Sequence, residues 1–275
     1  MFVAKTVKEV RDFLQKETEF GKKVSFVPTM GALHQGHLAL VKKAKEVGEV
    51  SVVSIFVNKT QFNDQKDFEK YPRNLDEDLK KLEPLNPALV FAPEDLEIFP
   101  SESAFKIIPQ KLVDCLCGAT RPGHFDGVGL IVAKLFNIVK PDVAIFGEKD
   151  FQQVAVIKKL VSDLNFNVKI IAHPTLREAT GLAMSSRNQR LSEAGKIKAA
   201  HLFRILSEIK QNPEILPQKK AELIALGFEK IDYLEIRDEE NLELNSNLLR
   251  RVFVAAYLEG VRLIDNLPLH DNRSN

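Results

Sequence analysis

Pro28-Thr29-Met30-Gly31-Ala32-Leu33-His34-Gln35-Gly36-His37-Leu38 is the stretch that decides what kind of protein this chain makes. It follows an apolar run containing Val24, Phe26 and Val27 and opens into a segment with helical spacing, which marks a strand-to-helix turn. A helix N-terminus offers backbone N–H groups without partners inside the helix, together with a partial positive charge, and so suits a phosphate chain. Gly36 lets a nucleotide approach the backbone closely, and His34 and His37 fall on one helical face. Two other roles for the pair stay open here. Both rings could be structural, or they could ligate a metal, although the third or fourth ligand a metal wants does not lie nearby in the sequence.

Apolar runs rich in β-branched residues recur after the one at 24–28, at 50–57, 88–92, 142–146 and 168–172. Helix-length stretches separate them, at 36–47, 74–83, 127–139 and 151–163. The last carries Phe151, Val154, Val156, Ile157, Leu160 and Val161 on a broad apolar stripe. This alternation predicts an α/β domain built on a Rossmann-like, doubly wound parallel sheet, in which ligands bind beyond the carboxyl ends of the strands. Three polar clusters fall at such ends, at 30–37, 58–61 and 147–153. Beyond residue 176 the alternation stops. An amphipathic helix at 192–210, begun by Ser192 with Glu193 in its first turn, is followed by Pro213 and Pro217, a short helix at 218–226 and strand-like runs at 230–236 and 251–257. The expected division is a larger domain over 1–176 and a smaller C-terminal α+β domain over 177–275. No internal repeat or low-complexity segment occurs, and the polar tail at 270–275 is expected to fray.

Composition narrows the function classes. The chain has 275 residues, enough for one large domain or two unequal ones. With 39 Lys+Arg against 38 Asp+Glu, it lacks the charge excess of a general nucleic-acid or membrane-surface binder. The N-terminus has no long apolar segment of the signal-peptide kind, and no run approaches the ~18 apolar residues of a membrane span. Cys115 and Cys117 are too close in sequence for an ordinary stapling disulfide and lack the second pair of a zinc site. Two reduced thiols in a cytoplasmic protein is the expectation.

Five further clusters carry possible chemistry. Asn58 and Gln61, in 56–62, present side-chain amides that bind hydroxyls and carboxylates without adding charge, or simply cap the loop. Asp76, Glu77 and Asp78 open a helix, where acids are favoured by the helix dipole; one of them could hold Mg2+ carried by a nucleotide. Arg121, Gly123, His124 and Gly127 make up either an ordered loop over an anionic ligand or a set of turn residues. Lys149 at a helix N-terminus is electrostatically misplaced unless an anion binds there, and Asp150 could cap the helix or accept from ribose hydroxyls. Ser185, Ser186 and Arg187, at the expected domain junction, suit phosphate oxygens and a hinge, or form an interdomain turn.

Taken together, these runs resemble the pantoate–beta-alanine ligase family, one of the His-x-Gly-His nucleotidylyl transferase type. The resemblance covers 27–37, 56–62, 71–73, 121–128, 134–139, 146–153, 177–188 and 262–266, in order and spacing across almost the whole chain. It implies a two-step reaction. Pantoate's carboxylate attacks the α-phosphorus of ATP to give pantoyl adenylate and pyrophosphate; the amine of beta-alanine then displaces AMP to give pantothenate. Both nucleophiles are substrates, so the protein's task is positioning and charge stabilisation.

The family implies the following roles. His34, His37, Lys149 and Arg187 surround the ATP phosphates as the catalytic set, with Ser185 and Ser186 assisting, Asp150 on the ribose, and Gly147, Met30 and Met184 against the nucleotide. Met30, Asn58, Gln61 and Gln153 hold pantoate, and Arg121 and His124 lie on the beta-alanine side. Glu77 or Asp78 partners Mg2+, a homodimer is implied, and the smaller domain acts as a lid that closes the ATP site. Three positions depart from the family pattern: Lys59 replaces a common proline, Asn63 a common glycine, and Thr180 the aspartate of Arg-Glu-x-Asp-Gly. Two competing functions are a nucleotidylyl transferase for another substrate, such as a phosphopantetheine or nicotinamide mononucleotide, and a non-catalytic nucleotide sensor. The first would need a second phosphate-recognition site, which the paired amides do not resemble.

Overall fold

The inner strands of the parallel sheet are rich in Val, Ile, Leu and Phe. In the computed structural model, which describes residues 1–19, 21–244 and 249–270, six parallel strands form one sheet, with the four inner strands almost wholly buried and the two edge strands partly exposed. The six are β1 (Phe2–Ala4), β2 (Val24–Thr29), β3 (Val50–Ile55), β4 (Leu89–Phe91), β5 (Val143–Gly147) and β6 (Lys169–His173), in the spatial order β1-β4-β3-β2-β5-β6. The chain steps outward from β2 to β3 and β4 on one side and to β5 and β6 on the other. The strand order therefore reverses between β2 and β5, and a doubly wound sheet binds ligands at such a switch point.

The helices are α1 (Val7–Thr18), α2 (Gln35–Val47), α3 (Gln65–Glu69), α4 (Leu75–Leu82), α5 (Asp95–Ile98), α6 (Leu116–Thr120), α7 (His124–Val139), α8 (Phe151–Asp163), α9 (Glu193–Ala199), α10 (His201–Gln211) and α11 (Leu216–Ala225). Val41 and Ala44 of α2 and Leu82 of α4 pack with Val27, Val53, Val90, Val143 and Ile145 of the sheet. Among the described residues no helix is long and apolar enough to cross a membrane.

A second sheet is antiparallel, in the order β7 (Lys230–Asp238), β8 (Arg250–Leu258), β9 (Val261–Pro268). Leu202, Ile205, Leu206 and Ile209 of α10 form its core with Leu234, Val252, Val254 and Ala256. At about 1.5–3 kcal/mol per fully buried aliphatic side chain, this stripe supplies much of what holds helix to sheet. The chain divides into two compact units. One comprises Met1–Gln110, Arg121–Glu148 and Val156–Pro174; the other takes Lys111–Thr120 and Lys149–Ala155 as well as Thr175–Asn275.

The doubly wound α/β class and the small α+β region are both present. Several elements differ in detail from expectation. Strand β1 and helix α1 are additional; the strand is too short to read as a run, but Thr6 and Glu9 form a reciprocal capping box at the start of α1. The expected helix over 192–210 is two helices separated at Ala200. Strand β9 is also additional. Glu259 (φ +51°) and Gly260 (φ +68°) form a two-residue hairpin turn with both central residues left-handed, and so return the chain alongside β8. Of the tail expected to fray, residues 271–275 lie outside the described residues.

Helix α7 begins at His124, three residues before the expected start, after Gly123 in a left-handed conformation (φ +77°). Its first turn lies directly on the loop after β3: a Cβ on Gly127 would meet the Thr60 carbonyl oxygen at 2.3 Å. Gly127→Ala should therefore lower thermal stability, since overpacking of about 1–3 kcal/mol outweighs a helix-propensity gain of about 1 kcal/mol. A melting temperature equal to or above that of the parent would show that α7 does not press on the 59–61 turn.

Candidate active site

The turn after β2 is partly buried, and its backbone finds its partners within the fold. Thr29 Oγ1 donates to Ser54 O (2.7 Å) and accepts from Gly31 N (3.2 Å). Asp78 of α4, only 2% exposed, then takes the next two N–H groups: Oδ2 accepts from Ala32 (2.9 Å) and Oδ1 from Leu33 (2.7 Å). Gly31 is obligatory on two counts. Its φ is +75°, and a Cβ there would lie 2.8 Å from Asp78 Oδ2. Burial pushes the Asp78 carboxyl above its usual value, against the opposing pull of the Leu33 and Ala32 N–H groups.

The two histidines follow at the start of α2 and cap it reciprocally. His34 is the N-cap, its Nδ1 accepting from Gly36 N (3.1 Å), while His37 Nδ1 accepts from His34 N (3.3 Å). This is the geometry of a capping box with imidazoles in place of the usual hydroxyl and carboxylate. The ring centroids lie 4.1 Å apart, with the planes tilted by 39°. Because each Nδ1 accepts, each ring proton belongs on Nε2, so both histidines present Nε2–H as their donor.

The amides meet in the loop after β3. Asn58, 1% exposed, donates from Nδ2 to Gln61 Oε1 (3.0 Å) and to Gly127 O (3.1 Å), and its Oδ1 accepts from Thr60 Oγ1 (2.8 Å). Gln61 Nε2 points to Met30 Sδ at 3.1 Å. Met30, Asn58 and Gln61 thus form one cluster beside the switch point. Arg121 and His124 join it from behind, both reaching the Gln61 backbone carbonyl (Arg121 Nη2 at 3.1 Å, His124 Nδ1 at 2.7 Å), while Arg121 Nη1 lies 3.1 Å from His124 Nε2. Donation from Nδ1 to a carbonyl leaves Nε2 to accept from the guanidinium, so the geometry calls for a neutral His124. The visible work of this pair is to hold the Gln61 loop. Asn63 hydrogen-bonds Pro122 O, which ties the same loop to the segment carrying Arg121.

In the second unit, Lys149 and Asp150 lie in a tight turn (Glu148–Asp150) that follows Gly147 and leads into α8, with Lys149 Nζ 4.0 Å from Asp150 Oδ2. Gln153 is half-buried on α8. Its neighbour Gln152, unremarked in the sequence, is buried: it accepts from Cys117 N (2.8 Å) and donates to Leu112 O (2.8 Å) and Cys115 O (2.9 Å). Cys115 and Cys117 are free thiols. Met184 N donates to Leu176 O (3.0 Å); Ser185 caps the short turn Ser186–Arg190, its Oγ accepting from Arg187 N (3.2 Å). Arg177 grips Asp265 with both ends of its guanidinium (2.6 and 2.9 Å). The aspartate missing at position 180 therefore does not leave Arg177 without an acid.

Glu77 and Asp78 already have partners within the fold. Both oxygens of Asp78 serve the turn, inside the fold. Glu77 is exposed and pairs with Lys81 (2.6 Å), whose hydrogen bond and charge hold its carboxyl below the usual range. Among the described residues no three or more histidine, cysteine or acidic side chains cluster so as to hold a metal, and each Nδ1 of the histidine pair is taken up by a backbone N–H.

A doubly wound sheet with a histidine-capped helix at its switch point defines an α/β enzyme of the nucleotide-using type. More particularly, the chain belongs to the pantoate-beta-alanine ligase family, whose pattern matches residues 2–268. A pantothenate synthetase of Marinomonas sp. (strain MWYL1) is 48% identical, over 95% of this chain and 97% of its own. One from Pseudomonas fluorescens is 47% identical, over 98% of each. Among solved structures, the pantothenate synthetase of Thermus thermophilus superposes with a TM-score of 0.92 at 40% identity, covering 98% of this chain and all of that one. The pantoate-beta-alanine ligase of Francisella tularensis, complexed with beta-gamma ATP and beta-alanine, gives 0.86 at 38% identity over 98% of each chain. The chain is accordingly an ATP-using ligase.

Asp78→Ala strands the buried Leu33 N–H and the partly buried Ala32 N–H and should cost about 1–3 kcal/mol. In the parent, the folded state holds the Asp78 proton more tightly than the unfolded chain does. Its contribution to stability is therefore full below the ordinary carboxylate range and declines as pH rises through that range to the raised value. Urea unfolding of both proteins across the acidic range checks this; the variant should lack that part of the decline, and identical slopes would count against it.

Proposed function

We propose that the chain condenses pantoate with beta-alanine through a pantoyl-adenylate intermediate, and that the histidine cap of α2 is the centre of its first step. Pantoate's carboxylate oxygen bonds to the α-phosphorus as the bond to the bridging oxygen breaks and pyrophosphate leaves. The free amine of beta-alanine then bonds to the acyl carbon, the acyl–phosphate bond breaks with release of AMP, and the amine proton passes to solvent or phosphate. No protein nucleophile is required. What helps is a set of donors aimed at charge that grows on the phosphates. The observation that carries this reading is the mutual Nδ1 capping of His34 and His37, which commits both rings to Nε2–H donation at the positive end of a helix.

In this proposal His34, His37, Lys149 and Arg187 contact the phosphates, with Ser185 and Ser186 adding hydroxyls. Asp150 takes the ribose hydroxyls, and Gly147 and Met184 lie against the nucleotide. Gln61 and Gln153 bind pantoate, with Met30 packed against it. Asn58 sets the Gln61 amide by holding Oε1, so that Nε2 faces the Met30 side. Arg121 and His124 support that loop, and any contact with beta-alanine comes in addition. Mg2+ arrives with ATP and is held by phosphate and water, since Glu77 and Asp78 are otherwise engaged. The smaller C-terminal domain, 177–275 in the sequence, serves as the lid. Free thiols suit a cytoplasmic enzyme, and a homodimer is the proposed assembly.

Pyrophosphate release from ATP with pantoate present and beta-alanine withheld tests the order of steps. A burst that depends on pantoate is expected, whereas release only after beta-alanine is added would overturn the adenylate route. His37→Ala or Lys149→Ala should slow adenylation by ~10²–10³ with pantoate affinity little changed; near-parental adenylation would remove that residue from the phosphate site. Gln61→Ala should chiefly raise the KM for pantoate.

A further inference from the structure

Two consecutive residues in the second half of β9 are buried and polar, Asp265 at 4% and Asn266 at 3% exposure, in a strand whose other fully buried residues, Val261 and Leu263, are apolar. Such groups are costly to bury unless each finds a partner. Asp265 has Arg177, and its Oδ1 also accepts from Asn266 N (2.8 Å). Asn266 reaches elsewhere. Its Oδ1 accepts from Arg251 Nη1 (2.6 Å), and its Nδ2 donates to the backbone carbonyl of Lys149 (3.0 Å). The orientation of this amide is not ambiguous. An arginine only donates and a carbonyl only accepts, so oxygen must face Arg251 and nitrogen must face Lys149.

Arg251 is itself fixed. It is 4% exposed, its Nε pairs with Glu239 (2.9 Å), and its guanidinium lies 4.0 Å from the ring centroid of Phe151. Phe151 in turn meets Phe253 at 5.8 Å. The same arginine thus stacks on the first residue of α8 and orients the amide that holds Lys149, two residues earlier. A long flexible lysine delivers its charge to a defined point only if its backbone is held, and here a buried side chain from a distant strand does the holding.

We propose that Asn266, oriented by Arg251, is a positioning residue for the phosphate chemistry: it sets the backbone of Lys149 and thereby where that ammonium meets the transferring phosphates. The inference rests on the proposed phosphate role of Lys149. Asn266 touches no substrate in this scheme, and the effect proposed for it is exerted through Lys149.

Asn266→Asp keeps an acceptor for Arg251 but replaces the donor to Lys149 O with a second acceptor; Asn266→Ala removes both bonds without adding charge. Both variants, Lys149→Ala and the two double variants are compared by pantoate-dependent ATP–pyrophosphate exchange, with thermal melting as the check on folding. The expected result is a fall in kcat of about 10- to 100-fold for Asn266→Asp, the KM for pantoate staying within about twofold, and a smaller fall for Asn266→Ala. In the Lys149→Ala background the further loss should shrink to within about twofold. A loss equally large in that background, or one that appears only as a raised KM for pantoate, overturns the proposal. So does full activity in a folded Asn266→Ala variant. Near-parental exchange by Lys149→Ala itself would instead sink the phosphate role on which it rests, so the two failures are told apart. If the aspartate variant does not fold, the alanine variant carries the same comparison.

Discussion

The chain leaving β2 reverses into α2 through a partly buried turn, so the N–H groups of that turn need partners from the fold. Asp78 meets this need by burying a carboxylate against Ala32 and Leu33, while Gly31 supplies the backbone conformation and the empty space that the carboxylate requires. Everything at the switch point is downstream of that arrangement. It sets where α2 begins, hence the mutual capping of His34 and His37, hence the direction of their Nε2–H donors. Burying an acid at a raised pKa is unfavourable taken alone, but stranding the two N–H groups it holds is worse.

The same logic recurs wherever chemistry is prepared. The Gln61 amide is oriented by Asn58, and its backbone carbonyl is held by Arg121 and His124. The Lys149 backbone is held by Asn266, and Arg177 is held by Asp265. In each case a polar group that faces ligand in the proposed mechanism, or lies beside one that does, has a buried polar partner behind it. Reaction steps in which both nucleophiles are substrates ask the protein mainly for fixed donors and fixed distances, and these partners are what fix them.

Much of the fold was legible because the inner strands are buried on both faces and so appear as runs rich in β-branched residues, with helices between them at the length a parallel crossover needs. The histidine pair was legible as a helix N-terminus for the same local reason. Short or late elements were harder. Strand β1 is too brief to make a run, and β9 depends on the Glu259–Gly260 hairpin and on carrying buried polar residues against the usual alternation. Within the candidate site, sequence marked most of the residues but not their partners. Asp78 read as an acid in a helix's first turn, where the dipole favours one, and that pattern is the same whether the carboxylate faces a metal or a distant turn. Arg121 and His124 read as an anion loop, although both reach a backbone carbonyl sixty or so positions away. Gln152 and Asn266 fall in runs that match the family, but nothing in those runs shows which polar groups they hold.

The longer buried strands and their crossover helices, the polar clusters at the strand ends and the family were all readable along the chain, because periodicity, caps and motif spacing are local properties. Only the tertiary structure decided which buried acid steadies which turn, and which ring nitrogen carries the proton. It alone decided, too, which amide holds the lysine backbone. Those choices are made by desolvation: a polar group taken out of water must bond to whatever the fold brings within reach, and the chain order does not say what that is.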